Sequence, residues 1–444
     1  MLNQIMIKLM NTMLDETMVE MLTRDYADNP LVMATAAEKL SMRAFIESGM
    51  RATSGKELKR PLGSPVVLAP WHEILFSSKQ LFAMPTDDPQ KVETKTIIGP
   101  RAKKPLVLDI PIMVSGMSYG GSVSLPFKIA LAKGTAAVGT STNTGESSVT
   151  HEERDYSKFL IGQYNRGGRL TSPEQLGLVD AIEIQFGQGA YGGAAYQSTK
   201  AEDMDDHLRG AWSLEEGQDS VIYPRFPNVS SQDDIIRLVN TIKDAYDVPV
   251  GIKIAATDYI ELELEVISKT NADFISIDGL EGGTAGAPPT LSDNVGIPSL
   301  YALVRAVDWL TKRGLREQFS IIISGGLSTP GHFLKALALG ADAVYIGSIA
   351  IMAALHTQMT KALPQHQPPQ LALYTGKLKN ELDIDEAARS LANFLRSCVA
   401  EMKLAVQVIG KQALRELNRN DLVTVNKDFA EFAGIRYAGS HRQT

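Results

Sequence analysis

The segment Ile321–Ser348 constrains the fold more than any other part of this sequence. Its first residues, Ile321–Ser324, are apolar or small and predict a short buried strand, and Gly325–Gly326 let the following backbone turn sharply towards a ligand. A helical pattern and a second apolar strand follow, and this strand ends in Gly347–Ser348. Two amide-rich turns after consecutive strands are typical of the phosphate site of a (β/α)8 barrel. An ordinary βαβ unit without a ligand is the alternative, and we favour the phosphate site because glycine turns at both strand ends exceed what packing requires.

Short apolar runs separated by helical patterns recur along the chain and predict eight strands. They cover Pro111–Ser115, Ala136–Thr140, Lys158–Gln163, Ala181–Phe186, Val250–Ile254, Phe274–Ile277, Ile321–Ser324 and Ala343–Ile346. Parallel strands that are buried on both faces have such near-continuous apolar sequences, and eight of them favour closure into a TIM barrel of the α/β class. A doubly wound open sheet is the weaker alternative.

The 444 residues divide into three predicted regions. Residues 1–95 form an N-terminal, mainly helical extension, residues 96–380 form the barrel, and residues 381–444 form a C-terminal helical region packed on the barrel. Apolar residues of the N-terminus, such as Ile5 and Leu9, recur at helical spacing and predict an amphipathic helix that packs on the body of the protein or on another subunit. We therefore expect a homo-oligomer.

Composition excludes several classes of protein. The net charge is −7, and acidic and basic residues are mixed along the chain, so we expect neither nucleic acid nor an anionic membrane as a partner. Charged residues such as Lys8 and Asp15 interrupt the apolar N-terminus well before the ~20 residues that a membrane span needs. Cys398 is the only cysteine, so this chain alone provides no disulfide framework and no cysteine-ligated metal centre. We expect a cytoplasmic protein that binds small molecules or other proteins.

The carboxyl ends of barrel strands, with the loops that follow them, carry the chemistry of this fold. These positions hold Ser115, Gly116, Met117 and Ser118 at the first strand, Thr140 and Glu146 at the second, Gln163 at the third, Gln188 at the fourth, Lys253 within the fifth, Gly282 and Gly283 at the sixth, and Ser324 at the seventh. Burial of an unpaired lysine is costly, so Lys253 is expected to meet an anion or an electron-rich ring, with an ion pair to Glu183 as the alternative. The long segment 187–227 after the fourth strand is predicted to be an active-site loop.

The order of these motifs resembles that of the FMN-binding synthase domain of glutamate synthases over roughly residues 70–380. The motifs at the first, second, fourth, fifth, sixth and seventh strand ends are SGMSYGG, STNTGE, EIQFGQGA, GIKIA, DGLEGGTAGAPP and SGGLSTPG. The resemblance implies FMN as the cofactor, with its ring over Gly116–Ser118. It implies phosphate contacts from Gly325, Gly326, Gly347 and Ser348. It implies further cofactor contacts from Ser115, Thr140, Gln163, Gly282, Gly283 and Ser324.

The same resemblance implies roles in a reaction. Lys253, near the electron-accepting edge of the flavin, would stabilise negative charge that develops on reduced FMN. Gln188 and Glu146 are the other expected catalytic residues, and Tyr191 and Gln197 are expected to contact the substrate. The implied activity is that of an FMN-dependent oxidoreductase, which converts 2-oxoglutarate or a related 2-oxo acid to an amino acid by reductive amination.

The chain departs from the family pattern in three places. Residues 350–360 lack the cysteines that hold an iron–sulfur cluster in the family, and an N-terminal catalytic cysteine is absent too, so we expect a separate electron-donor protein and ammonia from solution or from an amidotransferase subunit. Tyr191 replaces a family lysine that is expected to neutralise a substrate carboxylate, a contact worth about 1.5–3 kcal/mol. Lys200, Arg209 and Arg225 are nearby cations, although a solvated surface position is the simpler interpretation of each.

Two other functions stay open. One is a different reaction on the same flavin barrel, such as oxidation or isomerisation of another small acid, and the other is a non-catalytic flavin-binding subunit of a larger complex. Nucleotide oxidation through a cysteine nucleophile is disfavoured because Cys398 lies beyond the barrel. Hydroxy-acid oxidation is disfavoured because His332 and His356 have no neighbouring arginine in the sequence.

Overall fold

The computed structural model describes residues 2–25, 27–29, 31, 34–58, 64–282 and 287–442. Contacts divide the chain into two compact units, residues 1–63 with 286–288, and residues 64–285 with 289–444. The strands are β1 (Ile74–Phe76), β2 (Thr96–Ile98), β3 (Leu106–Leu108), β4 (Ile112–Val114), β5 (Ser141–Asn143), β6 (Phe159–Tyr164), β7 (Ala181–Gln185), β8 (Gln197–Thr199), β9 (Ser220–Ile222), β10 (Val250–Ala255), β11 (Phe274–Asp278), β12 (Ser320–Ser324), β13 (Ala343–Ile346), β14 (Leu422–Thr424) and β15 (Arg436–Tyr437). The helices are α1 (Leu2–Thr23), α2 (Ala34–Leu40), α3 (Met42–Ser54), α4 (Leu125–Ala136), α5 (His151–Tyr156), α6 (Pro173–Leu176), α7 (Asp206–Ala211), α8 (Gln232–Ala245), α9 (Ile260–Ile267), α10 (Pro289–Asn294), α11 (Ser299–Lys312), α12 (Pro330–Ala338), α13 (Ser348–Leu355), α14 (Met359–Ala362), α15 (Ile384–Ile409) and α16 (Lys427–Ala433).

Eight of these strands form a nearly closed parallel barrel. Their order in the sheet is β4-β13-β12-β11-β10-β7-β6-β5, and helices connect most of them. The two ends of the sheet meet at β4 and β5, where the Thr140 hydroxyl donates a hydrogen bond of 2.7 Å to the carbonyl oxygen of Ile112. The predicted (β/α)8 fold is therefore confirmed, and seven of the eight predicted strands overlap the observed ones.

The second predicted strand, Ala136–Thr140, is wrong. Helix α4 continues through Ala136, the chain turns at Gly139 with φ of 69°, and β5 begins only at Ser141. All three residues of β5 are buried, and its last side chain, Asn143, faces polar groups inside the barrel. A polar strand that packs against a polar interior does not show the apolar pattern on which the prediction depended.

A hairpin closes the amino-terminal end of the barrel. Strands β2 and β3 pair antiparallel, and Ile98, Leu106 and Leu108 are buried in one apolar cluster with Phe274 and Tyr345 of the barrel strands. Because this end is filled, a ligand site in the barrel belongs to the opposite mouth, where the carboxyl ends of the strands lie.

The C-terminal helix α15 packs along α4 on the outside of the barrel. A methyl group at Gly134 of α4 would lie 3.0 Å from the Ala388 carbonyl oxygen, so glycine permits this close approach. The structure shows a long helix, Ile384–Ile409, in the C-terminal region predicted to be helical. It also confirms an N-terminal helix, α1, whose Leu9 and Met13 side chains are exposed. None of the helices in the described residues is both long enough and apolar enough to span a bilayer.

Candidate active site

A buried carboxylate organises the interior of the barrel. Glu183 on β7 is fully buried. It accepts hydrogen bonds from four side chains, Ser276 (2.6 Å), Gln163 (2.7 Å), Asn143 (3.2 Å) and Tyr345 (3.2 Å). Because β7 and β13 are not neighbours in the sheet, the contact with Tyr345 crosses the interior. Burial raises the pKa of the Tyr345 hydroxyl well above its usual value, so this hydroxyl stays a donor to the carboxylate.

Lys253 is a buried cation in the same interior. It lies in register with Gln185 of β7 and Ser276 of β11, and side chains in register on neighbouring parallel strands point to the same face. The residue is only 3 % exposed, and its ammonium group forms no hydrogen bond or ion pair with any described residue. The alternative of an ion pair with Glu183 is not observed, since that carboxylate is bound by neutral donors. A buried ammonium without a partner fits an anionic or electron-rich ligand.

The two turns predicted to hold a phosphate follow the neighbouring strands β12 and β13. Gly325 and Gly326 have φ of 113° and 70°, which glycine adopts without strain. Ser348 is the first residue of α13, and Gly347 precedes it. Within the described ranges, no acceptor takes a hydrogen bond from the amides of Gly325, Gly326 or Ser348. Free amides beside the positive end of a helix suit a phosphate, so these residues fit the predicted cofactor.

The loops after β4 and β5 approach each other closely over the polar interior. A methyl group at Gly116 would lie 2.8 Å from Gln163 Nε2 and 3.0 Å from Asn143 Oδ1. One at Gly145, where φ is 64°, would lie 2.5 Å from the Ser118 backbone nitrogen. Any larger residue would separate the two loops, which explains why this wall of the mouth is built from glycine.

Two buried arginines lie at the mouth, and the sequence analysis missed both. Arg166 and Arg169 are in the loop that follows β6. Arg166 Nη2 is 3.5 Å from Glu146 Oε1, and Arg169 Nη1 donates to the Glu146 carbonyl oxygen at 2.9 Å. Burial lowers the pKa of Arg169 to about 10, partly offset by the Glu146 charge. Their position in the sequence could have identified them, because residues 165–169 directly follow a barrel strand.

The predicted substrate residues lie in the segment after β7. Tyr191 ends a short 3-10 turn, Gly189–Tyr191, and burial, together with the Glu146 charge, raises the pKa of its hydroxyl above the usual range. The amide of Gly189 donates to Asp278 Oδ2 at 2.9 Å, which ties this turn to β11. Gln197 Nε2 is buried and has no hydrogen-bond partner in the part of the chain that the structure describes.

Most of the other predicted residues also lie at this mouth. Gln188 Oε1 accepts a hydrogen bond of 3.4 Å from Gln185, and the Ser324 hydroxyl donates to Asp278 Oδ1 at 2.5 Å. A methyl group at Gly282 would lie 2.2 Å from the same Asp278 oxygen. Ser115, Met117 and Ser118 line the loop after β4, and the Ser115 hydroxyl lies beside Gly347.

One of the predicted residues is not brought to the mouth by the structure. Thr140 precedes β5, so it lies at the amino-terminal end of that strand, where its hydroxyl bridges to β4. Gly283 lies outside the described residues. Of the cations considered near Tyr191, Lys200 pairs with Asp219 at 2.6 Å on the surface.

Comparison with known proteins agrees with this arrangement. Residues 72–412 match the conserved region in glutamate synthase. A glutamate synthase large subunit-like protein of Rhizobium meliloti is 34 % identical over 373 residues, which cover 79 % of this chain and 83 % of the relative. An archaeal-type glutamate synthase [NADPH] of Thermotoga neapolitana is 34 % identical over 360 residues, which cover 80 % of this chain and 70 % of the relative.

Among solved structures, a lactate oxidase of Pediococcus acidilactici aligns with a TM-score of 0.52 and 17 % sequence identity, over 80 % of this chain and 85 % of that one. At this identity the likeness supports the barrel fold alone. The family match covers the whole barrel and every strand end described above. This chain therefore belongs to the glutamate synthase family, and its barrel is the FMN-binding synthase domain of an oxidoreductase.

Proposed function

We propose that this protein reductively aminates a small 2-oxo acid of the 2-oxoglutarate type. The observation that carries the proposal is Lys253, a buried ammonium without a partner among the described residues, in a mouth that also offers free backbone amides at Gly325 and Gly326. FMN, when bound and reduced, supplies a hydride to the imine that the 2-oxo acid forms with ammonia. Lys253 lowers the energy of negative charge on the cofactor in this reaction.

Other residues of the mouth bind and orient the substrate in this proposal. Arg166 and Arg169 hold Glu146, so its carboxylate is fixed where it can accept a hydrogen bond from the nitrogen of ammonia or of the imine. The Tyr191 hydroxyl and the free Gln197 Nε2 group donate to a carboxylate of the substrate. Gln163 is oriented towards the cofactor loop by its hydrogen bond to Glu183.

Anaerobic photoreduction of the purified protein tests this function. The yellow flavin band is bleached by light, and 2-oxoglutarate with ammonium chloride is then added. We expect the band to return only when both compounds are present, and we expect glutamate in the mixture. Pyruvate with ammonium is the matched control for the acid. A band that stays bleached with every combination would contradict reductive amination of this acid and leave the cofactor site intact.

A second prediction concerns Tyr191. Substitution Tyr191→Lys should lower the KM for 2-oxoglutarate about 10- to 100-fold relative to that for 2-oxobutyrate, because an ammonium group adds a charge-assisted contact of about 1.5–3 kcal/mol to the second carboxylate. Steady-state kinetics with both acids measures this ratio. Tyr191→Phe is the control, since it removes the hydroxyl and adds no charge. Loss of FMN from the Lys variant would show that Tyr191 contacts the cofactor instead.

We further propose the partners that this reaction needs. The chain has a single cysteine, Cys398, which is buried in α15, and burial raises the pKa of its thiol to about 12. An iron–sulfur cluster needs several thiolates, so electrons come from a separate donor protein in this proposal. Ammonia comes from solution or from an amidotransferase subunit, the chain assembles as a homo-oligomer, and it acts in the cytoplasm.

A further inference from the structure

Helix α7 lies within the long segment after β7, and one side chain fastens it to two other parts of the barrel unit. His207 Nδ1 is 2.9 Å from the Tyr119 hydroxyl, in the loop after β4, and His207 Nε2 is 3.1 Å from Glu152 Oε1, in α5. Burial raises the pKa of the Tyr119 hydroxyl above its usual range, so this phenol stays protonated and can donate to Nδ1. With Tyr119 as the donor to Nδ1, the ring proton on Nε2 is donated to the Glu152 carboxylate, and both contacts are satisfied.

The surface beneath α7 is shaped to receive it. Leu208 is fully buried, and a methyl group at Gly120 would lie 2.5 Å from its Cδ1 atom. Gly120 has φ of 86°, so both the conformation and the space require glycine at this point of the loop after β4. The amide of Asp205, the N-cap of α7, donates to the Tyr374 hydroxyl at 2.9 Å. Helix α7 is therefore held at its start and at its centre.

The end of α7 leads directly to the candidate substrate site. Trp212 caps the helix, and its Nε1 donates to the Ser147 hydroxyl at 2.9 Å. The Arg169 guanidinium stacks on the Trp212 ring at 3.5 Å from the ring centroid, a cation–π contact in a buried setting. Arg169 in turn holds the Glu146 carbonyl oxygen. A continuous set of contacts thus joins His207 to Glu146.

We propose that His207 is a positioning residue, which holds α7 against the loop after β4 and thereby fixes Trp212, Arg169 and Glu146 for substrate binding. His207 does not itself line the mouth, because its side chain is directed to Tyr119 and Glu152. Because the residues that His207 positions serve substrate binding, loss of the fastening raises KM and leaves kcat and FMN content nearly unchanged. The effect on substrate affinity rests on the proposed function, whereas the fastening of α7 does not.

Three substitutions of His207 separate its two contacts. His207→Phe removes both, His207→Asn keeps a polar group near the Nδ1 position, and His207→Gln keeps one near the Nε2 position. Hydrogen exchange of residues 203–214, FMN content, and KM and kcat for 2-oxoglutarate are measured for each. We expect His207→Phe to exchange about tenfold faster and to have a KM about tenfold higher, with kcat within about twofold, and His207→Asn to recover most of both.

His151→Gln is the matched control, because His151 is exposed and neighbours Glu152 in α5. We expect this variant to exchange and to turn over like the wild type. Unchanged exchange in His207→Phe would overturn the proposal, and so would a fall in kcat at constant KM. If wild-type protein fails to react with any 2-oxo acid, the proposed function fails, and hydrogen exchange alone still decides whether His207 fastens α7.

Discussion

Substitution Lys253→Met should lower turnover with 2-oxoglutarate and ammonium about 100- to 1,000-fold and, at the same time, stabilise the FMN-free protein. The rate falls because a preorganised charge at the reacting centre is lost, an effect of about 3–4 kcal/mol on the barrier. Stability rises because the buried ammonium has no partner among the described residues, and Met fills similar space without a charge. We expect the free energy of unfolding without FMN to increase by about 1–3 kcal/mol.

The chain provides a matched control in a second buried lysine. Lys128 is as inaccessible as Lys253, yet its Nζ lies 2.8 Å from Glu153 Oε1 and donates to the Asn143 carbonyl oxygen at 2.6 Å. Lys128→Met leaves the buried Glu153 without its cation, so it should destabilise the protein by about 3–5 kcal/mol. The two variants are thus predicted to change stability in opposite directions.

Denaturant unfolding of both FMN-free variants, with steady-state kinetics of the reconstituted proteins, measures these effects. Flavin absorbance after reconstitution shows whether the Lys253 variant still binds FMN. If Lys253→Met destabilised the protein as much as Lys128→Met, Lys253 would have a structural partner. If turnover stayed within about threefold of wild type, the lysine would have no catalytic role.

The sequence predicted the barrel well because most of its strands contain runs of apolar residues. The run in β12 is continuous and ends in glycine, so the local pattern was enough to locate the strand and its turn. Strand β5 could not be located this way, since Ser141–Asn143 are polar and Asn143 finds its hydrogen-bond partners across the barrel. The error moved Thr140 from the start of the strand to its end, and so to the wrong end of the barrel.

Contacts between residues distant in sequence also explain why two functional residues were missed. Arg166 and Arg169 stand in an Asn-Arg-Gly-Gly-Arg sequence that reads as a solvated turn. Arg169 is covered by Trp212 and Ser220, and Arg166 donates to the Pro224 carbonyl oxygen. These partners are distant in sequence and belong to the folded segment after β7. Gly120 likewise gave no sign in the sequence that Leu208 packs against it. Tertiary contacts of this kind leave no periodic signal in the sequence.

A partly buried glutamate beside the phosphate turn should make the protein sensitive to pH. One oxygen of Glu281 accepts the Ser299 amide at 3.0 Å, and the other, Oε1, is buried without a hydrogen-bond partner in the described residues. Burial, with a smaller contribution from the Asp278 charge, raises the pKa of this carboxyl to about 7. A methyl group at Gly325 would lie 3.0 Å from Glu281 Oε2, so the carboxyl group lies directly beneath the turn.

The direction of the pH dependence follows from the difference in the Glu281 pKa between the folded and unfolded states. The folded protein binds the Glu281 proton more tightly than the unfolded chain, whose glutamates titrate near pH ~4.3. The stability from Glu281 is therefore fully present below this pH and is lost as pH rises through about 7. The loss amounts to about 3 kcal/mol. Above pH 7 the ionised carboxylate also repels a phosphate at Gly325–Gly326, so FMN should bind more weakly there.

Glu281→Gln should remove both effects. Between pH 5 and pH 8.5 the free energy of unfolding of the FMN-free variant, relative to wild type, should rise by about 3 kcal/mol, because the amide cannot ionise. Over the same range FMN affinity should fall in wild type and stay constant in the variant, which quenching of flavin fluorescence measures. Glu216→Gln, at an exposed position, is the control and should follow wild type. A constant stability difference between wild type and Glu281→Gln across this range would mean that Glu281 is already ionised at pH 5, and hence that its unpartnered oxygen is solvated in the folded protein.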